Sequence, residues 1–329
     1  MTKMAQHGDY TVRRMTRDEL DLASSWAVAE EWNPGRFDAA CFHAVDPDGF
    51  FVGILDGEAV ASLSAVAYDA SYGFLGLYIV KPELRGLGYG IELWNAAMAY
   101  LGDRNVGLDA VIAQVSNYEK SGFKTAYRDV RYKGIGEGAV APGLTNLTEI
   151  PFAEIAAYDS AVFGTPRHRF LACWLRQPGY RGVGMIDDRQ LHGYGVIRPA
   201  QTGFRIGPLF ADEEAIAETI FQALAADVGD VPIFIDVPEV NRAVRALVQR
   251  HKMEPMFECV RMYNKKIPET PIAKIYGVTS FELVDQGDVR PPPLSHGTNE
   301  LVNYVRSINQ YIMQSPPENQ EGPTSKYSI

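Results

Sequence analysis

The chain has 329 residues, 46% of them hydrophobic and 22% charged. This is the composition of a globular protein with room for two domain cores, and it excludes wholesale disorder or a collagen-like fibre. The net charge of −10 disfavours nucleic acid as a partner. No apolar run reaches the roughly 20 residues of a membrane span, and we recognise no secretory leader, so we expect no membrane partner. The three cysteines are an odd number without CxxC spacing, which argues against a disulfide framework and predicts a cytoplasmic protein.

The first half of the chain alternates strand-like and helix-like segments. Thr16 and Glu19 form a capping-box signal, after which apolar residues recur at helical spacing. Two apolar runs separated by Gly57 and Glu58 predict an antiparallel hairpin. The predicted strands cover residues 10–15, 50–56, 59–68, 71–80, 106–113 and 124–132, with a helix over 90–100 and a short turn or helix over 118–121.

A second series of elements follows a glycine-rich stretch at residues 134–143, which is the best candidate for a linker. Helices are predicted over 152–162, 212–224 and 241–250, and strands over 181–186, 191–198, 202–209, 231–237 and 257–263. Both halves end in a similar phrase, Asp129-Val130-Arg131-Tyr132 and Cys259-Val260-Arg261-Met262-Tyr263. The match predicts a tandem duplication, with domains at residues 10–135 and 144–283.

The composition shifts after the second series. Residues 284–329 hold six of the chain's 20 prolines together with many Ser, Asn and Gln, which predicts a disordered tail. Within it Leu301, Val305, Ile308 and Ile312 fall at the spacing of a short amphipathic helix. The sequence leaves open whether this helix docks on its own protein or binds a partner.

The most informative segment joins a predicted strand to a predicted helix through a glycine-rich turn. It carries Arg85 and the glycines Gly86, Gly88 and Gly90. Such glycines let backbone N–H groups converge at a helix N-terminus, which makes an anion nest suited to a diphosphate. The spacing differs from that of a dinucleotide-binding loop, and the Gly-Lys-Ser/Thr ending of a Walker loop is absent. A structural turn without a ligand is the remaining alternative.

Two motifs together suggest a family. The loop Arg85-Gly86-Leu87-Gly88-Tyr89-Gly90 follows Val80, and Tyr118-Glu119-Lys120-Ser121-Gly122-Phe123 comes about 28 residues later. In this order and spacing the chain resembles the GNAT superfamily of acyl-CoA-dependent N-acetyltransferases. The segments at 30–35, 261–263 and 275–279 also resemble those of a bacterial branch of this family whose members have two GNAT-like lobes. The resemblance implies a mixed α/β (α+β) fold of two tandem GNAT-like lobes. Each lobe would be a mostly antiparallel mixed sheet flanked by helices.

The resemblance also implies acetyl-CoA as cofactor and assigns residues to it. Tyr118 matches the general acid that protonates the leaving thiolate. The asparagine that contacts the cofactor in many members is Val111 here, so Asn117 is a candidate substitute. The loop Arg85, Gly86, Leu87, Gly88, Tyr89 and Gly90 would bind the pyrophosphate, and the backbone of Leu77, Tyr78, Ile79 and Val80 would hold the pantetheine arm and polarise the thioester.

The acceptor side is less defined. An attacking amine must be neutral, so a base has to take its proton. Glu30 and Glu31 are the first candidates for this base, and Asp69 is another. The candidates to line an acceptor pocket are Trp32, Tyr68, Asp69 and Tyr72. Solvated surface roles for the carboxylates and core packing for the aromatic residues are the alternatives.

The second half matches the family less well. Where a cofactor loop should fall it has Arg205-Ile206-Gly207-Pro208-Leu209, whose proline lacks a backbone donor, and Val248 aligns with Tyr118. We therefore predict a degenerate lobe that supplies pocket walls or a dimer surface. His168, between two arginines, is a candidate to bind an acidic group, with a solvated basic face as the alternative. The histidines show no metal-binding spacing, so no metal is expected.

The sequence thus predicts an N-acetyltransferase that moves an acetyl group from acetyl-CoA to a primary amine of a small molecule by direct attack. One alternative is a non-catalytic acyl-CoA-binding or sensing protein. Another is a protein lysine or N-terminal acetyltransferase whose tail recruits its target. The identity of the amine and the oligomeric state, including a homodimer, stay open.

Overall fold

Residues 8–139 and 142–282 are described by a computed structural model, and the first half follows the predicted order of elements. The strands are β1 (Tyr10–Arg14), β2 (Phe50–Leu55), β3 (Glu58–Ala67), β4 (Tyr72–Val80), β5 (Asn105–Val111) and β6 (Lys124–Ile135). The helices are α1 (Arg17–Ala29), α2 (Asp38–Val45), α3 (Tyr89–Leu101) and α4 (Val115–Lys120). Thr16 and Glu19 cap α1 reciprocally, so the predicted capping box is confirmed.

The second half adds a further set of strands and helices. The strands are β7 (Leu144–Asn146), β8 (Arg181–Asp187), β9 (Gln190–Pro199), β10 (Phe204–Ala211), β11 (Pro232–Pro238), β12 (Glu254–Tyr263) and β13 (Ile275–Gly277). The helices are α5 (Phe152–Phe163), α6 (His168–Trp174), α7 (Glu214–Ala226) and α8 (Arg242–Arg250). The sequence pattern does not predict α2, α6, β7 or β13. These elements are too short, or in α2 too uniformly apolar, to show a readable period.

The two halves exchange strands within one continuous sheet. Its strand order is β1-β2-β3-β4-β5-β12-β6-β11-β10-β9-β8-β7, and β13 pairs with β10. Strand β12 of the second half therefore lies between β5 and β6 of the first, while β6 also pairs with β11. Neither half completes its sheet without the other.

The matched phrases of the two halves meet at the centre of this exchange. Asp129 in β6 lies opposite Cys259 in β12. On either side, Arg131 pairs with Asp236 across β6 and β11, and Arg261 pairs with Asp109 across β12 and β5. The Nε–Oδ1 distances are 2.6 Å and 2.7 Å. This local two-fold arrangement is the relation expected of a duplicated lobe.

The halves also share a hydrophobic core. One buried cluster combines residues of α1, α2 and β4 with residues of α5, α6 and β9. Of the two smaller clusters, one has its buried residues in the second half, and the other adds Val260 and Met262 of β12 to residues of the first half. A buried ion pair between Asp38 of α2 and Arg198 of β9, with Nε–Oδ1 at 2.9 Å, joins the halves inside this region.

The predicted linker is partly a packed segment. It begins with the last two residues of β6, and a methyl group built on Gly138 would lie 2.1 Å from the carbonyl oxygen of Gln222 in α7. The tail at 284–329 and its amphipathic helix lie outside the described residues. In the described part, no helix combines the length and the apolar character that a membrane crossing needs. The prediction of a mixed α/β fold with mostly antiparallel sheet pairing is confirmed.

Candidate active site

The glycine-rich turn joins β4 to α3. Gly86 and Gly88 have φ angles of 78° and 96°, which favour glycine. A methyl group built on either would meet no atom within 4 Å, so both border open space. Gly88 is the N-cap of α3, which brings the positive end of the helix dipole to the turn. The turn therefore fits a diphosphate.

Beside this turn, β4 and β5 separate into a wedge. Their parallel pairing runs from Tyr72 opposite Asn105 to Leu75 opposite Leu108 and ends there. Residues 77–80, predicted to contact a cofactor, therefore follow the open edge of β4. Strand β5 is paired with β12 on its other side, which leaves the wedge as an opening through the sheet.

A β-bulge lies at the apex of the wedge. Ser64 of β3 pairs with Gly76 and Ser62 pairs with Ile79, so β4 carries one extra residue between these pairs. Leu77 in the bulge has a φ of 48°, and its carbonyl accepts a hydrogen bond of 2.8 Å from Ser62 Oγ. The bulge re-aims the β4 backbone where the wedge opens.

One cavity of about 600 Å³ connects the turn with the wedge and the space behind it. This volume is typical of small-molecule sites. The cavity brings together twelve of the residues that the sequence nominates: Glu30, Trp32, Leu77, Tyr78, Ile79, Val80, Arg85, Gly86, Gly88, Gly90, Asn117 and Tyr118.

Tyr118 lies on α4 with its ring packed against Trp94 and Phe123, at centroid distances of 5.7 Å and 6.2 Å. Burial raises the pKa of the phenol well above its usual value near 10. The group therefore stays protonated at neutral pH and can donate a proton. Asn117 beside it donates a hydrogen bond of 2.8 Å to Gln114, and both line the cavity.

The two glutamates nominated as bases are placed differently. Glu30 lines the cavity, but its carboxylate forms an ion pair with Arg85. Arg85 also donates from Nε to the carbonyl of Val80, at 2.8 Å. Glu31 is exposed in a turn with φ of 63° and is not among the described residues that line the cavity. Glu30 therefore holds the loop arginine through this ion pair.

Three nominated pocket residues lie away from the cavity, which corrects that part of the prediction. Tyr72 is 1% exposed and stacks on Tyr68 at 5.8 Å. Asp69 accepts hydrogen bonds from the backbone N–H groups of Ser71 and Tyr72, at 2.6 Å and 2.8 Å. The physical reason is the sheet: β4 begins at the closed end of the wedge, and the opening lies at its other end.

Two residues of the predicted loop also point elsewhere. Tyr89 is buried against Tyr10, with ring centroids 4.7 Å apart, and anchors α3 to β1. Leu87 is exposed and is not among the described lining residues.

The far wall of the cavity comes from residues that the sequence analysis does not nominate. They lie on β5, β6, β12 and the segment after β13: Asp109, Arg131, Phe257, Cys259, Phe281 and Glu282. Arg131 also donates to the carbonyl of Trp32, which ties this wall to the turn after α1. The only available signal was the repeated phrase, since it contains Arg131 and Cys259.

The second lobe has a corresponding wedge, but the chain itself fills it. Strands β10 and β11 pair in parallel from Phe204 to Ile206. Beyond that point β13 pairs with β10, with Gly277 opposite Leu209 and in contact with Ile235 of β11. The predicted second loop at 205–209 is part of β10. The true β10–α7 turn is acidic, with Asp212, Glu213 and Glu214. A diphosphate would be repelled there.

Asp109, Asp129 and Cys259 lie close enough to surround a cation, with ligand atoms within 4.8 Å of one another. Arg261 already supplies the positive charge. Its guanidinium bonds Asp109 at 2.7 Å and 3.0 Å and lies 3.6 Å from Asp129.

Comparisons with known proteins agree with this geometry. Residues 13–123 match the acetyltransferase (GNAT) family, and residues 155–277 match an acetyltransferase (GNAT) domain. Holothin acyltransferase from a Pseudoalteromonas species is 33% identical over 283 residues, which cover 85% of this chain and 96% of that protein. The chain belongs to the GNAT acetyltransferase family. The predicted family and its two tandem GNAT lobes are thereby confirmed.

Other GNAT proteins extend the comparison. YitH, an uncharacterized N-acetyltransferase of Bacillus subtilis, is 27% identical over 200 residues, covering 59% of this chain and 71% of its own. A candidate acetyltransferase from Pyrococcus horikoshii superimposes with a TM-score of 0.72 at 25% identity, covering 86% of this chain and 99% of its own. A tandem GNAT protein from the clavulanic acid biosynthesis pathway shares the fold, with a TM-score of 0.56 at 15% identity over 78% of this chain and 98% of its own. The protein is an acyltransferase of the GNAT family.

Proposed function

We propose that this GNAT protein transfers an acetyl group from acetyl-CoA to the primary amine of a small molecule. The observation that carries the proposal is the single cavity that joins the glycine turn, through the β4–β5 wedge, to a chamber behind the sheet. Such a passage suits a long donor that enters from one face and an acceptor that waits on the other.

The turn has the features of a coenzyme A site. The open space over Gly86 and Gly88 is a cradle that a side chain would fill, and the α3 dipole lies beside it. Arg85 would add charge to the pyrophosphate site, and the bulge at Leu77 would aim backbone groups at the thioester carbonyl. Acetyl-CoA, when bound, supplies the activated acyl group.

The protein's own groups favour direct transfer. Tyr118, kept protonated by burial, would donate a proton to the leaving sulfur. Cys259 lines the cavity, but burial raises the pKa of its thiol well above the usual range. A thiol that stays protonated is a poor nucleophile, so a covalent enzyme intermediate is disfavoured.

The chamber also favours a small acceptor over a protein. Its walls include Phe257 of β12 and Phe281 and Glu282 of the segment after β13, all from the second lobe. A protein acceptor needs an open groove for the chain on both sides of the reacting residue, and these walls restrict the acceptor side.

Calorimetric titration of acetyl-CoA into the wild-type protein and a Gly88→Glu variant tests the donor site. We expect one binding site per chain, because β13 fills the second wedge. In the variant, a carboxylate at a positive φ enters the diphosphate space, so binding should weaken at least about a hundredfold.

Melting temperatures of both proteins serve as the control for folding. Two binding sites per chain would contradict the prediction that the second lobe is degenerate and binds no acetyl-CoA. If acetyl-CoA still binds the Gly88→Glu variant, the donor site lies elsewhere than at this turn. Absence of binding to the wild-type protein would refute the proposal.

A further inference from the structure

Glu282 reaches the acceptor side of the cavity from the far end of the second lobe. After β13, the N–H of Val278 donates to the carbonyl of Asp236 at 2.8 Å, and Thr279 accepts hydrogen bonds from Arg167 and Arg198 at 3.0 Å and 3.3 Å. The chain then turns so that Glu282 is 2% exposed and lines the cavity.

The backbone of Glu282 lies against the bulged strand. A methyl group built on Gly76 would fall 2.0 Å from the carbonyl oxygen of Glu282, so glycine is required there for the two chains to approach. Glu282 therefore stands next to the bulge at which the thioester carbonyl is expected.

Three acidic residues line the cavity among the described residues. Glu30 is paired with Arg85 beside the glycine turn, and Asp109 is held by two hydrogen bonds from Arg261. Glu282 has one hydrogen-bond donor and one ion-pair partner: Ser280 donates to Oε2, and Arg205 lies 3.6 Å from Oε1. A carboxylate accepts up to about four hydrogen bonds, so Glu282 keeps acceptor capacity for an incoming group.

The surrounding chamber is aromatic and offers little to an anion. Trp32, Phe257 and Phe281 form apolar walls. Arg131 lies over the rings of Phe257 and Phe281, at 5.7 Å and 5.1 Å, and is engaged by Asp236. Arg205 bonds the same Asp236 and has Glu282 as its second carboxylate partner, while Arg261 is held by Asp109. An acidic acceptor would therefore place a second negative charge beside Glu282.

We propose that Glu282 binds the amino group of the acceptor and takes its proton, and that the acceptor is a primary amine with an apolar body and no acidic group. This rests on the function proposed above. The ammonium gives one proton to Glu282, the C–N bond forms as the C–S bond breaks, and the leaving sulfur takes a proton from Tyr118. The second amine proton restores the phenol, and Glu282 releases its proton to solvent.

The acceptor class is tested with matched amines in a thiol-release assay with acetyl-CoA. Tryptamine, phenethylamine and pentylamine are compared with tryptophan, phenylalanine and 6-aminohexanoate, which add a carboxylate to the same bodies. We expect turnover with at least one simple amine and a kcat/KM about tenfold or more lower for its carboxylated counterpart, since like charges would be juxtaposed. Equal or faster turnover of the carboxylated amines overturns the assignment. Absence of turnover with all six amines also overturns it.

The role of Glu282 is tested with Glu282→Gln, Glu282→Asp and the matched control Glu258→Gln. Glu258 follows Phe257 on β12 but pairs with Arg128 and does not line the cavity. We expect Glu282→Gln to lower kcat/KM for the amine at least about a hundredfold with an unchanged acetyl-CoA Kd, and Glu258→Gln to change neither.

Glu282→Asp separates contact with the amine from charge compensation of Arg205. It keeps the charge but withdraws the carboxylate by one methylene, so we expect a loss of about tenfold or more if the group touches the amine. Full activity of the aspartate or glutamine variant would overturn the role of Glu282 while leaving the proposed function intact. If the wild-type protein neither binds acetyl-CoA nor releases thiol, both proposals fail together.

Discussion

Tyr118 is the residue whose motif predicts a general acid, and its burial in the cavity wall keeps the phenol protonated. Phenylalanine in its place would keep the packing on Trp94 and Phe123 and remove only the hydroxyl. We expect Tyr118→Phe to lower kcat about a hundredfold while the Kd of acetyl-CoA changes little. Thiol-release kinetics and calorimetry measure the two quantities.

The pH profile gives a second readout for Tyr118. Because burial raises its pKa, the proton-donating form persists above pH 10, so loss of this proton should not limit kcat below that pH. A kcat that is unchanged by Tyr118→Phe would assign proton donation to another group. Absence of turnover in the wild-type protein would favour a sensor of acyl-CoA.

At the scale of elements, the β4 bulge determines how the wedge opens. Ser62 stabilises it by donating to the carbonyl of Leu77, and the serine is fully buried. We expect Ser62→Ala to lower the free energy of unfolding by about 1–2 kcal/mol, because a buried carbonyl loses its donor. The kcat should fall several-fold, since the bulge is then free to relax. Denaturant unfolding and thiol-release kinetics provide the measurements.

Ser64 is the matched control for this bulge. It is equally buried on the same strand, but its hydroxyl has no hydrogen-bond partner among the described residues. Ser64→Ala should therefore leave stability unchanged or raise it. Equal destabilisation by both substitutions would show that Ser62 acts through packing and not through its hydrogen bond.

At the scale of the whole molecule, the strand exchange makes the lobes mutually dependent. A fragment of residues 1–139 would expose β5 on one edge and leave β6 without β11 and β12. We expect this fragment to show no cooperative thermal transition by circular dichroism and to bind no acetyl-CoA. A monomeric, cooperatively melting fragment that binds acetyl-CoA would refute this dependence.

Co-expression with residues 140–329 is the control for this experiment. The break falls after the last packed glycines of the linker, so the two pieces retain every strand of the sheet. We expect them to copurify and to recover acetyl-CoA binding.

The sequence by itself determined most of the elements and the family, and it predicted a donor half of the site. Periodicity and capping are local properties, and the glycine turn and Tyr118 each belong to a continuous motif whose chemistry does not depend on distant residues. The family's two lobes could likewise be inferred, because duplication leaves a repeated phrase in the chain.

Only the tertiary structure decided which residues form the cavity behind the wedge. Pairing of β12 with β5 brings Phe257 and Cys259 behind the wedge, and the path after β13 brings Phe281 and Glu282 beside Gly76. The structure also places Tyr68, Asp69 and Tyr72 outside this cavity, since they lie near the start of β4, at the closed end of the wedge. Contacts between residues more than 140 positions apart depend on strand exchange, and no local pattern encodes which strand enters a sheet.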